Sequence, residues 1–322
     1  MPKNTIMNGY NAAKTSAAWS AVRQFGVLKL SGSDSLDLLN RLSTNRLDTL
    51  VAGQGRQTVL TNEKGRIIDV LTLLIAQNEI LALTSPEKQR EVATWIKKYI
   101  VMEDVKVSDK TENYRFTEIL GPAASAAARQ ITGDNILGMS MSGWNTVKVS
   151  TAESMLFRAP SVAETSYIFM TSSEINSEEI LAGIGLPEVT ATDFHVLRVE
   201  TGLPMAGNEL TADFNPLEGG LVHIIDFKKG CYIGQEVIAR LDSYNKVQKR
   251  IMGFASASEI KTGAEIYFDG KSVGHITSSA DSPEFGSIAL GYIRGEAASA
   301  GATVQIEGGI EARISNLPFA SR

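Results

Sequence analysis

The sequence predicts an α+β protein followed by a separate, small all-β domain. Three observations carry that prediction. Strand and helix patterns alternate up to Arg240 without the long apolar runs of a buried parallel sheet. Short connections such as Asn62-Glu63-Lys64-Gly65 favour antiparallel pairing. After Arg240 the pattern changes to short strands separated by Asp269-Gly270, Asp281-Ser282-Pro283, Gly295 and Gly308-Gly309, the spacing of a barrel or sandwich. The boundary falls near Asp242–Lys249.

Taken in order, residues 1–24 read as a polar lead-in with one short helix near Ala12–Val22. Val27–Leu30 is a strand, Ser31-Gly32-Ser33 turns the chain, and Ser33 is placed to cap a helix whose buried face is Leu36, Leu39 and Leu42. Gln57–Thr61, Arg66–Ile75 and Glu79–Thr84 are strands. Asp69 interrupts the second of these; period-two alternation puts its carboxylate in solvent, and the other reading holds it in a site. Ser85-Pro86-Glu87 opens a helix to about Ile100, with a cap, a first-turn proline and an acid at the positive end. Strands follow within 105–120, then an alanine-rich helix over Pro122–Ile131, strands at Trp144–Val149, Met155–Ala159 and Tyr167–Thr171, and a helix over Ser173–Ala182. A further helix begins at Thr192-Asp193 and is closed by Gly202, with Pro204 beyond. On it, Arg198 and Glu200 point to different faces. The glycine- and acid-rich loop Leu203–Gly220 is long enough to suggest a function of its own.

Composition narrows the function classes. The 322 residues are 43% hydrophobic and 21% charged with a net charge of −5, which suits about two globular domains and argues against general nucleic-acid binding. A single cysteine excludes a disulfide framework and an all-cysteine metal site within one chain. The three histidines, His195, His223 and His275, are scattered and read as structural or surface residues, so no metal site is expected. No apolar run approaches a membrane span and Met1-Pro2-Lys3-Asn4 lacks a secretory pattern, so a cytoplasmic protein with no membrane partner is expected. No glycine-rich dinucleotide or phosphate loop is present.

The most distinctive stretch is Lys228-Lys229-Gly230-Cys231-Tyr232-Ile233-Gly234-Gln235-Glu236, running on to Arg240. Two lysines and a helix starting near Gly234 both favour a thiolate at Cys231; the alternative is a half-buried cysteine serving as a small hydrophobe. The helix start would suit an anionic ligand, although Glu236 competes for the same positive end. Arg198 and Arg240 are either salt-bridge partners or guanidinium groups for a carboxylate-bearing ligand, and Glu200 is a candidate acceptor for a heterocycle with an amino group and ring N–H.

Lys229-Gly230-Cys231-Tyr232-Ile233-Gly234-Gln235-Glu236 resembles the hallmark of the YgfZ-type folate-binding proteins, relatives of the glycine-cleavage T-protein (GcvT), a tetrahydrofolate-dependent aminomethyltransferase. Leu28–Asp34, Asn62-Glu63-Lys64-Gly65-Arg66-Ile67-Ile68-Asp69, and Leu197–Pro204 with Glu209-Leu210 and Asn215-Pro216 resemble further family blocks in the same order. The resemblance implies a GcvT-like cloverleaf around a folate channel: two interleaved α+β lobes within residues 1–241, the second at approximately 50–105, and a C-terminal β-barrel over 242–322. It implies tetrahydrofolate as cofactor, with Glu200 holding the pterin and Arg198, Arg240, Lys229 and Tyr232 as further binding residues. Asp69 matches the first of an aspartate pair in the aminomethyltransferases, but Val70 stands at the second position. Together with Cys231, this departure argues against glycine-cleavage chemistry. The resemblance therefore implies a folate-binding accessory protein for assembly or repair of iron–sulfur enzymes. Its partners would be iron–sulfur assembly proteins or client enzymes, with Cys231 as the functional thiol. The alternative is a tetrahydrofolate-dependent aminomethyl or methyl transferase.

Overall fold

The computed structural model describes residues 3–133, 136, 138–149, 152–244, 247–297 and 299–319. Positions 245 and 246 of the expected boundary lie outside the described residues. The strands are β1 (Ala18–Ser20), β2 (Gly26–Ser31), β3 (Gly55–Thr61), β4 (Ile67–Ile75), β5 (Ile80–Thr84), β6 (Lys106–Asp109), β7 (Tyr114–Leu120) and β8 (Trp144–Val149), then β9 (Ala152–Phe157) and β10 (Ser166–Ser172). Six more follow Arg240: β11 (Lys249–Ser256), β12 (Glu265–Phe268), β13 (Lys271–Ser282), β14 (Gly286–Arg294), β15 (Thr303–Ile306) and β16 (Ile310–Ser315). The helices are α1 (Lys3–Thr15), α2 (Ser35–Leu42), α3 (Gln89–Lys97), α4 (Ala124–Thr132), α5 (Ser177–Gly183), α6 (Ala191–Thr201) and α7 (Gln235–Ser243).

The chain divides into two compact units. The first comprises Met1–Thr61, Ile68–Phe194 and Ile224–Ile233; the second comprises Asn62–Ile67, His195–His223 and Gly234–Arg322. The first unit holds two five-stranded sheets, ordered β1-β7-β10-β9-β8 and β3-β4-β5-β2-β6. Alternation along the strands feeds both faces of each sheet. Leu28 and Leu30 of β2 join Leu38, Leu39, Leu42, Val92 and Ile96 of α2 and α3 in one core. Ile119 of β7 joins Ala124 and Ala128 of α4 in another. Val27, Leu81 and Leu83 pack with Phe116, Phe157, Ile168 and Met170 in a third core that joins the two sheets. In the second unit, β11-β14-β13-β12-β15-β16 close into a barrel around Phe254, Ile266, Ile276 and Ile314. Closure leaves no unpaired barrel edge. Two sheet-bearing lobes and a C-terminal barrel are the architecture the sequence predicts.

Four local expectations are corrected. The lead-in helix spans Lys3–Thr15, not Ala12–Val22, because Ala18, Trp19 and Ser20 are claimed by β7, pairing with Leu120, Ile119 and Glu118. Ser33 does not cap α2: its N–H donates to Asp104 Oδ2 (3.0 Å), while Asp104 N–H donates to Asp34 Oδ2 (2.8 Å). This reciprocal pairing fixes the turn without a side-chain cap. The helix after β5 begins at Gln89 rather than at Ser85, since Glu87 adopts φ +65° and cannot continue a right-handed helix. The fourth correction explains the third. Asp69 is only 1% exposed, and it takes both polar groups of Ser85 for itself.

Candidate functional site

The cysteine loop is fixed by the end of α2 and the segment that follows it. Asp226 begins the loop as an Asx turn, its Oδ1 accepting the N–H groups of Lys228 (2.8 Å) and Lys229 (3.1 Å). Its Oδ2 pairs with Arg46 Nε at 3.0 Å, and Arg46 also donates to the Lys228 carbonyl (3.1 Å). These N–H groups, Lys228 foremost, and the Arg46 cation hold the Asp226 carboxyl below its ordinary value. Lys229 turns inward and is buried, and its ammonium donates to three main-chain carbonyls: Asn40, Ser43 (2.7 Å) and Asn45 (2.8 Å). An ammonium has three donors, and all three are used. Burial lowers its pKa to about 8; the negative charges of Asp48 and Asp226 oppose that fall. Tyr232 is also buried, with its ring 5.3 Å from the Lys229 nitrogen, and burial pushes its phenol up to about 12. At the far end, Ile233 N–H donates to the Arg41 carbonyl (3.1 Å) and Thr61 Oγ1 donates to the Ile233 carbonyl (2.6 Å).

Between the buried anchors Lys229 and Tyr232, Gly230 and Cys231 are exposed. The thiol is displayed on a backbone tied down at both ends. The reading of Cys231 as a half-buried hydrophobe is therefore replaced by an accessible thiol. The loop then enters α7 through Gly234, whose φ of +82° lies in the left-handed region that glycine tolerates. Arg240 is exposed in the last turn of α7, where a cation complements the helix dipole.

Asp69 lies elsewhere in the first unit. Its two oxygens accept Ser85 N–H (2.9 Å) and Ser85 Oγ–H (2.5 Å). Burial raises its pKa to about 6, against the pull of these hydrogen bonds and the Lys88 charge. A carboxyl of this kind can carry or release a proton near neutrality.

In the second unit, Arg198 and Glu200 leave α6 toward different residues of β13. Arg198 is fully buried, and its Nη1 pairs with Glu209 Oε2 at 2.9 Å. Its Nη2 donates to Ser278 Oγ (2.6 Å), whose hydroxyl donates in turn to Glu209 Oε1 (2.6 Å). Thr277 Oγ1 (2.7 Å) and Met205 N–H (3.0 Å) also donate to Glu209, and Tyr292 donates to the Glu209 carbonyl (2.9 Å). The salt-bridge reading thus describes Arg198: it fastens the 203–220 loop to the barrel. Farther along the loop, Phe214 stacks on Tyr292 with ring centroids 3.4 Å apart, and Glu218 pairs with Arg66 at 3.3 Å.

Glu200, also buried, accepts the Ser282 hydroxyl on Oε1 (2.6 Å), and its carbonyl accepts Phe319 N–H (2.8 Å). His195 bonds the Ser279 carbonyl at 2.9 Å, and His275 lies beside Phe214, both structural placements. Among the described residues no group of three or more His, Cys, Asp and Glu could hold a metal ion, and no helix is long and apolar enough to cross a membrane.

Sequence reasoning missed Arg46 and Asp226 and did not pair Glu209 with Arg198. Each had a signal. Asp226 stands two residues before Lys228, the Asx-turn spacing, and Arg198 lies between Leu197 and Val199 on an apolar stretch, where burial demands a counter-charge.

Residues 3–229 match the family described as the GCVT N-terminal domain, and residues 249–320 match the glycine cleavage T-protein C-terminal barrel domain. The chain belongs to the GCVT family. A chloroplastic protein of Arabidopsis thaliana, named as a candidate transferase, is 28% identical over 92% of this chain and 70% of its own length. The aminomethyltransferase of Bacillus subtilis (strain 168) is 25% identical over 99% of this chain and 92% of its own. The crystal structure of the glycine cleavage system aminomethyltransferase T from Bartonella henselae superposes with a TM-score of 0.85 at 20% identity, covering 97% of this chain and 88% of that one; it shares the fold.

Proposed function

We propose that this GCVT-family protein is of the YgfZ type: a tetrahydrofolate-binding accessory protein that supports assembly or repair of iron–sulfur enzymes in a reducing, cytoplasmic setting. The observation that carries the reading is the exposed Cys231 on a loop locked by Lys229 and Asp226. A lone thiol could ligate a cluster only with ligands from elsewhere, so its partner would be an iron–sulfur assembly protein or a client enzyme.

The residues present fit a folate. Glu200 is a buried carboxylate that accepts the Ser282 hydroxyl, and a carboxylate is the type of acceptor suited to the amino group and ring N–H of a pterin. Arg240, exposed on α7, is the cation for a folate carboxylate. Lys229 and Tyr232, buried in the first unit, brace the thiol loop, and the three Lys229 donors are engaged by main-chain oxygens. When bound, tetrahydrofolate supplies one-carbon carriage. Calorimetric titration of the full chain with tetrahydrofolate tests this: saturable binding is expected, weakened at least tenfold by Glu200→Gln. No binding to the unaltered protein would sink the ligand assignment.

One observation favours a second reading, a tetrahydrofolate-dependent aminomethyl or methyl transferase. Asp69 is a buried carboxyl with a pKa near neutrality, and the similarity to an aminomethyltransferase spans 99% of the chain. Against it, Val70 stands where those enzymes carry a second acid, and Ser85 occupies both Asp69 oxygens.

A further inference from the structure

The second unit contains a cavity of about 710 Å³ at one end of the barrel, within the size range of small-molecule sites. Its walls come from the β13–β14 hairpin tip, from β11 and β16, and from the segment after β16. Glu200 organises two of them. Its carboxylate takes the Ser282 hydroxyl, and that same oxygen accepts the N–H groups of Glu284 (3.1 Å) and Phe285 (2.9 Å), which fixes the hairpin tip. The Glu200 carbonyl holds Phe319 by its N–H (2.8 Å). The cost of substitution around Phe319 shows how closely this segment is seated. A Cβ on Gly202 would lie 2.7 Å from Leu317 Cβ, and one on Gly253 would lie 2.6 Å from the Phe319 ring.

The lining has a definite chemistry. Phe285 and Phe319 face each other with centroids 5.8 Å apart, tilted at 37°. Arg313 and Asn316 supply polar groups. Among the described residues Arg313 makes no ion pair and no side-chain hydrogen bond, and its Nη2 would lie 3.8 Å from a Cβ built on Gly301. A guanidinium matches a carboxylate through two parallel N–H donors, and paired aromatic rings accept a flat apolar body.

We infer that this cavity binds a planar aromatic carboxylate, with Arg313 receiving the carboxylate and Phe285 and Phe319 holding the ring. The cavity lies within the second unit, and its assignment does not depend on the folate reading. The test titrates the full chain with 2-naphthoate and, in parallel, with neutral 2-naphthamide, followed by ligand fluorescence and by protein NMR shifts. Saturable naphthoate binding is expected, with naphthamide at least tenfold weaker. Arg313→Gln, an exposed position, should weaken naphthoate at least tenfold, and Ala300→Trp, which fills the cavity from an exposed alanine, should abolish binding. The inference is overturned if naphthoate fails to saturate, if naphthamide binds equally well, or if both variants fold and bind like the unaltered protein.

Discussion

The Lys229 ammonium lies 2.7 Å from the Ser43 carbonyl oxygen, and the Asn40 and Asn45 carbonyls complete its shell. The lysine two residues before the cysteine is therefore a peg in the backbone rather than a charge beside the thiol. It joins the end of α2 and the stretch after it to the loop that exposes Cys231.

Replacing that peg has a measurable cost. Lys229→Met removes the donor to the buried Ser43 carbonyl and to the part-buried Asn40 and Asn45 carbonyls, and a loss of about 2–3 kcal/mol is expected in urea unfolding, the scale for orphaned buried polar groups. Amide exchange over residues 226–233 should accelerate well beyond the global change. Lys229→Arg should not rescue it, because a planar fork cannot direct three donors from one nitrogen. Unchanged exchange in the loop would mean that Asp226 and Arg46 suffice.

The Arg198–Glu209 pair makes a different prediction. Both side chains are essentially fully buried, so removing one partner strands a charge. Arg198→Met is expected to destabilise by about 3–5 kcal/mol, and adding Glu209→Gln should recover part of that loss. Strictly additive losses would show that the two residues act independently.

Asp69 gives a pH signature whose sign is opposite to that of most carboxylates. Its folded pKa of about 6 lies above the ordinary 3.8, so the native state binds the proton more tightly. Stability should therefore fall as pH rises from about 4 to about 6 and then level off. The two-unit shift sets a ceiling of about 3 kcal/mol on the cost of the ionised form. Asp69→Asn should stabilise the protein by about 1–3 kcal/mol at pH 7.5, with the gain vanishing near pH 4. A gain that does not change with pH would show that Asp69 ionises without penalty.

Much of this was legible in the sequence because it rests on periodicity and turn chemistry. The barrel strands announce themselves through short apolar runs and glycine-bearing turns, although β13 runs on through Asp281 and Ser282, where the sequence reads a turn. What failed were positions where one local signal had two claimants. Ser85 is a sound helix cap by sequence, but Asp69, 16 positions earlier, takes its hydroxyl and N–H. Ser33 is a sound cap too, but Asp104, 71 positions later, takes its N–H. Trp19 reads as part of a helix until β7 offers it a strand partner. Alternation put Asp69 in solvent because it assumes one wet face, whereas both faces of the sheets carry cores. Among the site residues, the motif around Cys231 stood out by residue type alone, yet the role of Lys229 depends on carbonyls 184 to 189 positions away, which no local pattern encodes.

The central claim is that Cys231 serves iron–sulfur enzymes rather than folate turnover. The most direct test is the activity of iron–sulfur enzymes in cells whose only copy carries Cys231→Ala, with tetrahydrofolate binding by the purified variant measured alongside. The account predicts that those activities fall severalfold while folate affinity stays within twofold of the unaltered protein. Normal iron–sulfur activities in such cells would contradict it, and a concurrent loss of folate-dependent turnover would move the assignment to the transferase reading.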